Sequence, residues 1–109
     1  MDYNQYLEYI PNKFIDFYLQ TEVKIRDILF KKDNPRETRF KEIEDYYILQ
    51  LNDLNILVFN IDKKIIEDKI DEVNSQNLFF LRQVISKSIE KRLRASFDSA
   101  FNTVNQMEH

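Results

Sequence analysis

Any chemistry in this chain must come from carboxylates, amines and guanidinium groups, because there is no cysteine and the one histidine is His109. Thiol catalysis, thiolate metal sites and disulfides are therefore excluded. Glu67, Asp68, Asp71 and Glu72 form two i, i+4 carboxylate pairs, which on one helical face can hold a divalent cation. A di-metal helical bundle also needs a glutamate with histidine three residues on, and the sequence has no such pair, so neither metal nor cofactor is expected. Glycine is absent as well, which removes phosphate-cradling loops and nucleophile elbows. Acid–base work by two carboxylates has nothing to position it. No catalytic residue is assigned, and the chain reads as non-enzymatic.

The basic groups offer binding rather than catalysis. Lys87, Lys91 and Arg94 stand at i, i+4 and i+7, a stripe able to contact three phosphates. On a protein of net charge −3 such a stripe is more often a solvated face. Residues 1–31 carry four basic and five acidic groups, 32–73 seven and eleven, 74–109 five and three. An acidic middle and a basic end point to intramolecular pairing. Arg82 points to the apolar side of its helix. Across a hairpin turning near Asn74 and Ser75 it would pair with Glu67, Asp68 or Asp71, its stem packing as a hydrophobe.

Helices must carry these groups. Leu81, Ile85, Ile89, Leu93, Phe97 and Phe101 recur every fourth residue, with Leu78, Ala100 and Val104 on the same side, which predicts one amphipathic helix. Upstream, Asn34 suits an N-cap, Pro35 the first helical position and Glu37 a capping box. From there Phe40, Tyr47, Leu51, Leu54, Val58, Ile61 and Ile65 keep helical step, predicting one long helix from about Pro35 to Glu72. Asn52, Asp53 and Asn55 are weak helix formers; a break there would give four helices, and Ile56 to Phe59 would also suit a short strand. Asn74 and Ser75 then cap the last helix.

At the start, Tyr3, Tyr6, Leu7 and Ile10, then Phe14, Phe17, Tyr18, Ile25, Ile28 and Leu29, give a first helix bent or divided at Pro11. Six aromatics in its first eighteen residues read as core rather than as an exposed arm. Lys31 and Lys32 close the segment favourably for its dipole. The expected fold is all-α, an antiparallel bundle of three long helices forming one domain over residues 1–109, with a fraying tail after Val104. No apolar run approaches a membrane span, and Asp2 stands where a secretory leader would carry a base, so the expected setting is cytoplasmic, with no membrane partner.

The middle segment is greasier than such a bundle needs. Between Tyr46 and Ile61 eleven of sixteen residues are apolar. Leu49 and Ile56 fall on the side away from the inward seam, flanked by Ile48, Phe59 and Ile66. Two neighbouring helices cover about half of a helix, so these five residues form an exposed stripe unless the N-terminal segment lies over them or the helix breaks. The function this supports is a helical protein–protein interaction module, an adaptor, inhibitor or regulatory subunit. It would form a homodimer with a second copy or dock on another protein. The competing expectation is a small nucleic-acid-binding regulator using Lys87, Lys91 and Arg94. Abundant isoleucine, asparagine, lysine and aspartate fit an AT-rich genome, and a small glycine-free helical chain fits a phage or mobile element.

Overall fold

Local hydrogen bonding sets where each helix starts and stops in the computed structural model, which describes residues 1–31 and 33–107. Helix α1 (Tyr3–Leu29) begins with a capping box that the sequence reading overlooked: the Gln5 amide donates to the Asp2 carboxylate at 2.9 Å, and the Asp2 amide donates to the Gln5 side chain at 2.8 Å. The helix continues through Pro11 undivided. Proline removes the bond to the Leu7 carbonyl, but Leu7 is on the exposed side, where water can serve that group. The six early aromatics are all buried or half-buried. Lys31 lies beyond the helix, and the Lys32 expectation falls outside the described residues.

Helix α2 (Arg36–Glu67) starts one residue later than the sequence suggests. Pro35, with ψ at 161°, is the extended cap residue rather than the first helical one, and no side chain caps the end. Asn34 turns its amide instead to the Glu42 carboxylate at 3.0 Å. The helix passes Asn52, Asp53 and Asn55 without a break, so neither the four-helix alternative nor a strand occurs here. Tertiary burial overrides their weak propensity, because Ile43, Leu54, Ile61 and Ile65 on the same helix are all nearly inaccessible.

The turn into helix α3 (Glu72–Gln106) comes earlier than expected, at Asp68–Asp71 instead of Asn74–Ser75. Lys69 takes a left-handed conformation (φ 51°) that stops α2. Asp71 then caps α3, its carboxylate accepting from the Asn74 amide at 3.0 Å, while the Ser75 hydroxyl donates to the Ile70 carbonyl at 2.9 Å. Asn74 and Ser75 thus brace the turn from inside the first helical turn. At the other end α3 stays helical to Gln106, past the fraying expected after Val104; Glu108 and His109 lie outside the described residues.

The three helices are all-α and pack pairwise, α3 lying closely along both others. Helix α2 runs antiparallel to its neighbours, with Tyr47 stacked on Phe97 at 4.6 Å near one end and Asp62 bonded to Arg82 toward the other. Helices α1 and α3 run parallel, placing the Tyr18 hydroxyl 3.4 Å from that of Ser96. Phe97, fully buried between Tyr46 and Tyr47, anchors the interior along with Tyr6, Phe14, Ile61, Leu78 and Leu93. One polar pair interrupts it. Gln50 donates to the Thr21 hydroxyl at 2.7 Å, and that hydroxyl donates to the Phe17 carbonyl at 2.9 Å.

The bundle is a rod of 58 × 18 × 18 Å with a radius of gyration of 17.1 Å, against about 13 Å for a globule of this length. A rod three helices thick leaves the back of every helix in solvent. The chemistry of those three backs decides what the molecule can touch.

Candidate protein interface

Because Leu54, Ile61 and Ile65 face inward, helical geometry sends residues about 180° away to the outer side of α2. Asp45, Asn52, Ile56 and Lys63 lie within about 20° of that side, and Leu49, Phe59 and Ile66 flank it within about 60°. Their apolar members and the adjoining Ile48 are all open: Ile48 64 %, Leu49 52 %, Ile56 49 %, Phe59 64 % and Ile66 66 % exposed. Neither α1 nor α3 lies over them, and the N-terminal residues pack elsewhere, Met1 against Asp68 and Tyr6 in the core.

The spacing is more regular than an apolar count conveys. From 45 to 66 the steps alternate four and three, which is heptad spacing, the pattern that keeps one seam facing a partner helix. Leu49, Ile56, Phe59 and Ile66 fill four positions, and Asn52 and Lys63 the two between. Leu49 to Ile66 spans about 26 Å of helix. With about 200 Å² per fully exposed residue, the five apolar residues offer roughly 600 Å², at the top of the range for the largest apolar patch of a monomer.

Charged residues bound both ends. Lys41 reaches Asp45 at 3.0 Å and Glu44 at 3.5 Å, and these carboxylates, Asp45 first, hold its ammonium above the usual lysine range. At the far end Lys63 lies 3.8 Å from Glu67. All four residues that reach the outer face here, Lys41, Asp45, Lys63 and Glu67, have side chains at least 60 % exposed.

The expected partner of Arg82 is corrected. Its guanidinium makes two 2.8 Å bonds to Asp62, not to Glu67, Asp68 or Asp71. Since the turn closes earlier than Asn74, the antiparallel register moves toward the N-terminus and residue 82 faces 62. The bidentate, half-buried pair still clamps α2 to α3. The three carboxylates go elsewhere: Glu67 to Lys63, Asp71 to the α3 cap, and Asp68 to the Met1 ammonium at 2.8 Å and the Tyr6 hydroxyl. The ammonium, and after it the Tyr6 bond, pulls the Asp68 carboxyl below its usual range, while burial and then Asp68 push the Tyr6 phenol up. With α2 ending at Glu67, the carboxylate pairs 67/71 and 68/72 do not share a helix face. Among the described residues no cluster of three or more His, Asp or Glu side chains is placed to hold a metal ion.

Lys87, Lys91 and Arg94 are exposed on α3. Lys87 and Arg94 border the open groove between α2 and α3, but Arg94 bonds Glu90 at 2.8 Å, which offsets one of the three charges.

Two further sets of exposed apolar residues escaped the sequence reading: Ile15, Leu19 and Val23 on α1, and Val73, Phe80 and Val84 on α3. The α1 set was legible as an i, i+4, i+8 run, though such a run equally suits a core stripe. Steps of four drift about 40° each around a helix, so Ile15 and Val23 look in directions about 80° apart and make no straight seam. The two sets adjoin at the groove that Pro11, Ile15 and Val84 line, and Leu7 extends the α1 set, but they are divided between two helices and offer no single-helix heptad line.

No family model, curated protein or solved structure matches the chain. Among the described residues no helix is long and apolar enough to cross a membrane.

Proposed function

We propose that this protein is a non-enzymatic helical interaction module, an adaptor, inhibitor or regulatory subunit, that docks through the outer face of α2. One observation carries the reading: Ile48, Leu49, Ile56, Phe59 and Ile66 are exposed together on one side of an unbroken helix, at the spacing a partner helix needs. The titratable groups singled out from the sequence support it indirectly, since Arg82, Asp68 and Asp71 are spent on clamps and caps, Arg82 with Asp62.

The test is position-specific photo-crosslinking in cells that make the protein, with a photoreactive amino acid replacing Phe59 in one variant and Lys91 in another. Protein adducts from position 59 and none from position 91 support docking through α2. Absence of any protein adduct from 59, the protein's own second copy included, overturns it. Binding of random-sequence duplex with a steep salt dependence that Lys87→Ala and Lys91→Ala abolish would favour the phosphate-contacting alternative.

A further inference from the structure

The outer face of α2 carries its own complement. Resting on the reading that this face docks, we infer that its occupant is a second copy of the chain, laid antiparallel about a twofold axis at residue 54. Read from N to C, the charges on the face are Lys41, Asp45, Lys63 and Glu67, which is plus, minus, plus, minus. Reversing such a string places every positive group opposite a negative one. With the axis at 54, Asp45 meets Lys63 of the second copy and Lys41 meets its Glu67, each contact occurring twice. A parallel in-register pair would instead set Asp45 on Asp45, Lys63 on Lys63 and Glu67 on Glu67.

The same axis brings Leu49 opposite Phe59 of the second copy, again twice, and leaves Asn52 facing Ile56. Polar positions inside a heptad seam, here Asn52 and Lys63, cost stability but fix register. An arrangement in which the same patch serves both partners is the usual geometry of a twofold dimer. Complete burial of these five residues in both copies would withdraw at most roughly 1,200 Å², the lower bound for a stable interface, and the same axis sets Ile48 beside Asn60 and Ile66 beside Glu42 of the second copy, so the flanking polar groups must contribute area as well. Neither the α1 nor the α3 set combines a heptad line of this length with charges that reverse onto themselves. A different partner would have to reproduce a pattern that this helix already matches.

The test exploits the absence of cysteine. Chains carrying Asp45→Cys are mixed with chains carrying Lys63→Cys in a glutathione redox buffer and run on a non-reducing denaturing gel. A covalent heterodimer forms, while each variant alone stays uncrosslinked, since the two copies of position 63 lie about 27 Å apart along the axis. Sedimentation equilibrium of the unmodified chain at tens of micromolar gives a dimer. Lys63→Glu weakens it at least tenfold with helicity unchanged, and adding Asp45→Lys to that variant restores it. A strict monomer at 100 micromolar, or Lys63→Cys chains crosslinking to themselves, overturns the inference. A strict monomer whose position 59 still crosslinks to a different protein sinks the second copy and leaves the docking reading standing. No adduct from 59 sinks both.

Discussion

Thr21 and Gln50 bring a polar contact into the centre of the bundle, and their geometry makes an asymmetric prediction. The Thr21 hydroxyl has one hydrogen, which it gives to the Phe17 carbonyl at 2.9 Å, and it accepts the Gln50 amide at 2.7 Å. Thr21 is fully buried and Gln50 is 7 % exposed. Thr21→Val keeps the shape but strands the Gln50 amide in the interior, a loss of about 1–3 kcal/mol. Gln50→Leu leaves the hydroxyl still bonded to Phe17 and gains apolar contact, so it costs under about 1 kcal/mol. In the double variant the Gln50 amide is no longer stranded and most of the Thr21→Val loss returns, less the contact between the Thr21 and Tyr46 hydroxyls. At about 4 °C per kcal/mol for a domain of this size, Thr21→Val melts roughly 4–12 °C below the native chain, with the double variant well above it. Thermal and urea denaturation followed by helical circular dichroism complete the double-mutant cycle. Single effects that add to within about 0.5 kcal/mol would mean the two side chains do not act on each other, and the reasoning fails.

Three more perturbations probe other parts of the structure. Phe97→Ala removes the ring buried between Tyr46 and Tyr47 and costs about 3–5 kcal/mol, whereas Phe59→Ala, measured below micromolar concentration, stays within about 0.5 kcal/mol in urea unfolding. Arg82→Lys keeps the charge but forfeits the two-pronged grip on Asp62, and urea unfolding registers about 1 kcal/mol of lost stability. Asp68 has a folded-state pKa below its unfolded value, so its contribution is present above about pH 4 and is lost as pH falls through the lower folded value. Asp68→Asn therefore lowers stability at pH 7 and flattens its decline below pH 4, read from urea midpoints across that range. Tyr6 works in the opposite direction. Its folded pKa is raised, so its contribution holds below about pH 10 and declines above it.

The amino-acid sequence alone determined the number of helices and most of what faces inward, because periodicity is a property of each segment by itself. The every-fourth run from Leu81 to Phe101 and the unbroken phase from Phe40 to Ile65 appear in the fold as α3 and α2. The outward positions of Leu49, Ile56 and Phe59 followed from the same geometry, since an inward seam on a helix also fixes its back. Boundaries were less legible. Asn34, Asn74 and Ser75 are good caps in isolation, yet Pro35 and Asp71 hold the cap positions, because where a helix starts depends on how the turn before it closes.

Only the tertiary structure decided pairings. Arg82 met Asp62 and not Glu67 once the turn at Asp68–Asp71 shifted the register of two long antiparallel rods. Gln50 could not be told from a surface glutamine until Thr21 arrived from another helix to satisfy it. Ile15, Leu19 and Val23 carry the spacing of a core stripe and nonetheless face solvent. Periodicity says that a face exists, but which of two faces is covered depends on where the other helices lie, and that is a long-range fact.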